Sequence, residues 1–155
     1  MTGLSTTFAL LGQTENEAAS RLLAAALDSP SPVIRKSAVR AVLERRSELG
    51  LRKLVARVDT LSSEEVEVVI EMHGRAAAVL RDMLQSNDAV QVRQACRAAV
   101  CFHEFEVIPT LIAVLEESGN RFADEAAAAL TRLAEVLVHE LATLRDERRR
   151  RDPTF

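Results

Sequence analysis

The chain has 155 residues, 48% hydrophobic and 28% charged, which is enough to bury one core of ordinary domain size. Its net charge of −3 is too small to indicate a nucleic-acid-binding protein by itself. Trp and Tyr are absent, and the abundant Ala, Leu, Arg and Glu favour helices over strands because they lose little side-chain entropy in a helix.

The N-terminal part of the chain predicts a short cap and a first helical pair. We expect a helix around Phe8 within residues 1–14, followed by a pair over residues 15–47. Pro32 fits the first turn of the second helix, where a missing N–H costs nothing. The apolar stripe of that helix consists of Ile34, Ala38, Ala41 and Val42.

Residues 48–74 predict a second, more divergent pair. Ser62 or Ser63 is a good N-cap, since Glu64 and Glu65 follow in the first turn. Gly74 is a natural helix stop. The expected stripe consists of Val66, Ile70 and His73.

Two further pairs are predicted over residues 75–105 and 106–144. Pro109 again fits a first turn, and Asn120 is placed to cap the last helix. The stripe of the third pair consists of Val92, Cys96, Ala99 and Val100. The stripe of the last helix consists of Phe122, Ala126, Ala129, Leu130, Leu133 and Leu137.

The helices starting at Pro32 and Ala89 carry similar segments, SPVIRKSAVRAV and AVQVRQACRAAV. Aligned on Ile34, Val92 and Phe122, they indicate a repeat of about 29 residues. One helical pair cannot bury its stripe alone, so neighbouring pairs are expected to stack. The small residues at aligned positions allow helices to approach closely.

The repeated segments resemble HEAT repeats. The resemblance lies in an apolar–Arg step followed by a small residue, at Arg35–Ala38 and Arg93–Cys96, and in the segment IPTLIAVL from residue 108. It implies an all-α chain, an α-solenoid of about four HEAT-like helical pairs forming one domain over residues 1–155. The residue pattern is most similar to that of bacterial HEAT-repeat proteins of undefined role. The family pattern also implies turn braces, pairing Asp28 with Arg35 and Asp88 with Arg93.

No residue pattern indicates catalysis, a cofactor or a metal site. His73 lies on an apolar phase, and Cys101 and His103 point to different sides of a helix. Glu67 and Glu71 form an i, i+4 pair that an exposed acidic face explains. We therefore expect a non-enzymatic protein that binds a protein partner.

The second helices of such stacks line the concave side, which is the usual binding surface. Opposite the core stripe the helical phase also places Leu43 and Ala98. The predicted partner-binding residues on this side are Lys36, Arg40, Gln94, Arg97 and Asp124.

Two other functions fit the sequence less well. Basic segments 35–57 and 145–151 suggest a HEAT-like nucleic-acid-binding protein, although stacking aromatics are lacking. An accessory subunit or lyase-like chaperone of a cofactor-bearing partner is a weaker alternative.

The C-terminal part of the chain has two interpretations. The basic tail, residues 145–155, resembles a turn and the start of a further repeat, with Pro153 placed like Pro32. The preceding stripe of Leu133, Leu137, Leu141 and Leu144 then predicts a continuation or self-association. The alternative is one long capping helix with a fraying end.

The expected location is the cytoplasm, without membrane insertion. The first residues lack a basic leader followed by a long apolar core, and no apolar run approaches the roughly 20 residues that span a bilayer. Cys96 and Cys101 do not resemble a disulfide framework.

Overall fold

A computed structural model of the chain describes residues 3–152. All regular elements within this range are helical, which confirms the all-α prediction. The α-helices are α1 (Gly3–Gln13), α2 (Ala18–Ala26), α3 (Pro32–Arg45), α4 (Glu48–Ala56), α5 (Ser63–Glu71), α6 (Ala77–Leu84), α7 (Ala89–Cys101), α8 (Ile108–Glu116) and α9 (Ala123–Arg151). Short 3-10 turns occupy Val58–Thr60 and Phe105–Val107.

Helices α3, α4, α5 and α7 begin at residues whose side chains cap them. The Ser31 hydroxyl accepts a hydrogen bond from the Ile34 N–H, with Pro32 in the first turn of α3. Ser62 and Glu65 form a reciprocal capping box at α5, which satisfies two N–H groups that the helix itself leaves unpaired. The predicted N-cap at Ser62 is therefore confirmed.

The helices pack in two sets. Helices α2, α4, α6 and α8 contact one another in chain order, whereas α3 contacts α1 and α5, and α7 contacts α9. Contacts between the sets join α2 to α3, α6 to α7, and α8 to α9. Most helices therefore pack against neighbours in both sets.

One hydrophobic cluster runs through both sets of helices. Each helix of the first set contributes a fully buried leucine: Leu23, Leu54, Leu80 and Leu111. Small side chains lie where helices of the second set meet their neighbours: Ala38, Ala99 and Ala126 are buried. Such residues let helix axes approach closely.

The expected core face of α5 is wrong. Val68 and Val69 are buried, whereas Val66 and Ile70 are only partly buried and His73 is exposed. Glu65 occupies the buried side of α5, where each of its carboxylate oxygens accepts a hydrogen bond, one from Arg35 Nε and one from the Ser62 N–H. A prediction from the hydrophobic pattern alone places an acid such as Glu65 on the exposed side of the helix.

The expected turn braces have other partners. Asp28, just after α2, pairs with Lys53 of α4 and with Arg57, the residue that follows α4. The Arg35 guanidinium instead donates to the Ser29 carbonyl oxygen at 2.8 Å and pairs with an acid of α5. Arg35 still stabilises the turn before α3, but it does so through the Ser29 carbonyl oxygen. Asp28 is already paired with two cations, Lys53 and Arg57.

The second expected brace differs in the same way. The Asp88 carboxylate accepts the Val90 N–H at 2.9 Å and so caps α7. Arg93 lies one turn further along α7 and faces α9, where its Nε is 3.7 Å from Glu125 Oε1. Capping orients Asp88 along its own helix and leaves Arg93 to pair across helices.

Residues 145–151 of the basic tail are helical rather than a turn. Helix α9 continues without a break past the expected boundary at residue 144 and ends at Arg151, as in the single-helix interpretation. Arginine is a good helix former, and cations in the last turn interact favourably with the helix dipole. Pro153 lies outside the described residues.

Candidate binding groove

The predicted partner-binding residues of α3 lie on the surface between α1 and α5. Lys36 and Arg40 are exposed, and both face acids of α5. Lys36 Nζ lies 3.8 Å from Glu64, and an Arg40 nitrogen lies 3.3 Å from Glu71. These contacts hold the two cations along the α3–α5 boundary.

Part of the expected binding side is core. Leu43 and Ala98 are fully buried. Helices α3 and α7 each pack against helices of both sets, so a wider arc of their surface is covered than one stripe predicts. The part of α3 and α7 that a partner could contact is therefore limited to the charged residues at the edges of the covered arc.

Arg97 lies in a different place from Lys36 and Arg40. It lines an open groove of about 530 Å³ between α7, α9 and the 58–60 turn, here called the α7–α9 groove. The groove is lined by Val58, Asp59, Arg93, Cys96, Arg97, Val100, Cys101, Glu125, Ala128, Ala129 and Arg132. Of the five predicted residues, Arg97 alone lines it.

The lining combines small apolar side chains with charged ones. Val58, Cys96 and Ala129 are buried residues of the lining. Burial, with a smaller contribution from Glu125, raises the pKa of the Cys96 thiol to about 11. Burial likewise raises the pKa of Cys101, with Asp59 adding to it. At neutral pH both thiols are protonated and behave as small apolar groups.

Three arginines contribute the positive charge of the groove. An Arg97 nitrogen lies 2.7 Å from Asp59, and both side chains are exposed. Arg93 makes the longer contact to Glu125 described above. Arg132 is exposed and has no ion pair with any other residue of the range 3–152.

The other two predicted residues, Gln94 and Asp124, do not line the groove. Gln94 is half-buried and Asp124 is exposed. The sequence analysis missed Arg132 and gave Arg93 only a structural role. The i, i+4 spacing of Arg93 and Arg97 is a signal for a shared face of α7. Nothing local predicts Arg132, because α9 packs on α7 only in the folded chain.

The basic segment 35–57 is largely neutralised by acids outside the segment. The ion pairs are Arg35–Glu65, Lys36–Glu64, Arg40–Glu71, Arg45–Glu17, Arg52–Asp82, Lys53–Asp28 and Arg57–Asp28. A phosphate backbone would compete with these carboxylates for the same cations.

Within residues 3–152, no group of three or more His, Cys, Asp or Glu side chains is arranged to hold a metal ion. Over the same range no helix has both the length and the apolar character needed to cross a bilayer. Comparison of the chain with protein-family models, curated proteins and solved structures gave no match. What the groove binds is therefore inferred from its own side chains.

Proposed function

We propose that the chain is an α-solenoid of about four HEAT-like helical pairs and acts as a non-enzymatic scaffold that binds a protein partner through the α7–α9 groove. The partner segment carries a carboxylate beside a small apolar side chain. The carboxylate meets the arginines, and the apolar group packs on the small residues of the lining.

The repeat architecture is supported by contacts that recur at one sequence separation. Arg35 bonds to Glu65, Arg52 to Asp82, and the Gly74 N–H to Glu104, each across 30 residues. This separation is close to the repeat of about 29 residues in the sequence. A stack in which each unit contacts the next produces contacts at one repeat length.

The groove is favoured as the binding surface because its cations are accessible. Both side chains of the Arg97–Asp59 ion pair are exposed, and such pairs contribute only about 0–1 kcal/mol to stability. A partner carboxylate can therefore replace Asp59 at little cost. Arg132 has no competing acid to displace, and arginine is enriched among residues that dominate binding energy.

Charge reversal at Arg97 and Arg132 tests this function. The native chain and the variants are used as bait in extracts of the source cells, and captured proteins are quantified by mass spectrometry. We expect Arg97→Glu with Arg132→Glu to reduce capture of a specific protein at least tenfold, with unchanged circular dichroism. The matched control reverses Arg21 and Arg81, which are exposed on α2 and α6.

The alternative functions predict different results. Equal capture by the groove variant and the control would exclude the groove. A nucleic-acid-binding chain would shift the electrophoretic mobility of short duplexes, and this binding would weaken strongly as the salt concentration rises. An accessory subunit of a cofactor-bearing protein would co-purify with a chromophore-containing partner.

A further inference from the structure

The C-terminal half of α9 carries an apolar surface that no other helix within residues 3–152 covers. Leu133 is fully buried against the body of the protein, and the stripe that it begins continues through Leu137, Leu141 and Leu144. These three leucines are 39%, 56% and 56% exposed. All of residues 141–150 are exposed.

The body of the protein ends near Glu140 of α9. His103, at the end of α7, bonds through Nδ1 to Glu140 Oε1 at 2.8 Å and fastens α9 at this point. Residues 141–151 continue beyond it for about 16 Å at the usual helical rise. This projecting helix exposes Leu141 and Leu144 to solvent rather than packing them in the core.

Charge along α9 is divided between its two parts. Residues 123–140 contain four acids and one base, net −3, and residues 141–151 contain five arginines and two acids, net +3. Acids near the start and arginines near the end suit the helix dipole. They also make the helix complementary to a copy of itself that runs in the opposite direction.

We propose that a second copy of this chain covers the exposed stripe, with the two α9 ends packed antiparallel about a two-fold axis between Leu141 and Leu144. A two-fold interface uses the same surface on both partners, so that surface must be self-complementary. Each Leu141 then meets the partner's Leu144. The arginine end of each helix lies along the acidic part of the other, beside Leu137.

A parallel arrangement is disfavoured by the same charges. It places the two arginine ends side by side, so ten arginine cations against four acids share the tip of the dimer. In the antiparallel arrangement the two net charges of +3 lie apart, each beside residues 134–144 of the partner, which carry Glu135 and Glu140 and no Lys or Arg. The leucine surface provides the contact, and the charge pattern determines its direction.

Sedimentation velocity of the full chain across a concentration series tests the proposal. We expect a species with twice the 17.0 kDa mass of the single chain. Leu141→Glu with Leu144→Glu should leave only the monomer, with unchanged circular dichroism because both positions are exposed. The matched control is Val33→Glu with Val90→Glu, exposed valines on α3 and α7, which should remain dimeric.

Disulfide cross-linking tests the direction of the helices. Leu137→Cys and Arg148→Cys are made separately in a chain with Cys96→Ala and Cys101→Ala. We expect a cross-link when the two variants are mixed and none with Arg148→Cys alone. A cross-link from Arg148→Cys alone would establish the parallel arrangement and overturn the proposal.

The remaining outcomes are also decisive. A chain that stays monomeric at 100 µM, or a dimer that survives the leucine substitutions, would refute this interface. So would leucine-dependent binding of the monomer to anionic vesicles, which would assign the surface to lipid. The groove variant should remain dimeric and the leucine variant should retain partner capture, so this proposal and the proposed function fail separately.

Discussion

Arg35 of α3 and Glu65 of α5 form an ion pair of 3.2 Å between Arg35 Nε and Glu65 Oε1, although Glu65 is only 3% exposed. The second oxygen of Glu65 accepts the Ser62 N–H at 2.8 Å. One carboxylate thus completes the cap of α5 and joins α5 to α3. Burial acts to raise the pKa of Glu65, but the hydrogen bonds with Ser62 and the charge of Arg35 bring it below the ordinary value.

Glu65→Ala should lower the free energy of unfolding by about 1–3 kcal/mol at pH 7, because it removes the cap and leaves Arg35 without its acid. A lowered pKa contributes stability above the ordinary value of 4.5, which is lost as pH falls through the folded-state pKa. The cost should therefore be smaller at pH 3. Urea unfolding at both pH values measures it.

The control for this prediction is Glu64→Ala. Glu64 precedes Glu65 and is exposed, and within residues 3–152 its carboxylate makes one ion pair, the 3.8 Å contact to Lys36. Its removal should change stability by less than about 0.5 kcal/mol. Equal costs for the two variants would contradict the role assigned to Glu65.

Glu104 should show the opposite dependence on pH. It is buried, and its Oε2 accepts the Gly74 N–H at 3.0 Å, so Glu104→Ala should cost about 1–3 kcal/mol. Burial raises the pKa of Glu104, against the opposing hydrogen bond from Gly74. A raised acid pKa gives stability that is greatest below 4.5 and falls as pH rises through the folded-state pKa.

The cost of Glu104→Ala should therefore decrease from pH 4 to pH 8, as measured by urea unfolding. The Glu65→Ala variant is its control, since the cost of that substitution rises with pH. A cost that increases with pH in both variants would show that the Glu104 carboxylate is stabilised in its charged form.

Gly74 and Gly119 both have positive φ, at 84° and 76°. Substitution by alanine should cost about 1–2 kcal/mol at each, because an L side chain is strained in this region. Gly74→Ala should cost more, since its added Cβ would lie 3.2 Å from Glu106 Oε1, whereas Gly119 has open space. Thermal unfolding compares them, and a larger effect at Gly119 would contradict the prediction.

Enlarging the small residues between helices should destabilise the protein. Ala38 and Ala99 are fully buried on α3 and α7, so a leucine at either position should cost about 1–3 kcal/mol by overpacking. Ala127→Leu is the control, because Ala127 is exposed on α9. Similar melting temperatures for all three variants would show that these helices do not rely on close approach.

Local features of the fold could be predicted because they depend on neighbouring residues. Pro32 and Ser62 mark helix starts through the N–H groups of the first turn, which any helix leaves unpaired. The stripe of α3 and the small residues at Ala38 and Ala99 follow from helical periodicity. The candidate site was only partly predicted: Arg97 was found from its phase on α7, and Arg132 was missed.

Helical periodicity and capping chemistry in the sequence determined the all-α class and the starts of helices such as α3 and α5. Only the tertiary structure decided which charges meet: Asp28 with Lys53 and Arg57, Arg35 with Glu65, and Arg132 at the groove. Side-chain periodicity depends on the nearest turns of one helix. An ion pair between residues 30 positions apart depends on how two helices pack. The same packing brings Arg35 beside Glu65, so that this acid can lie in the core.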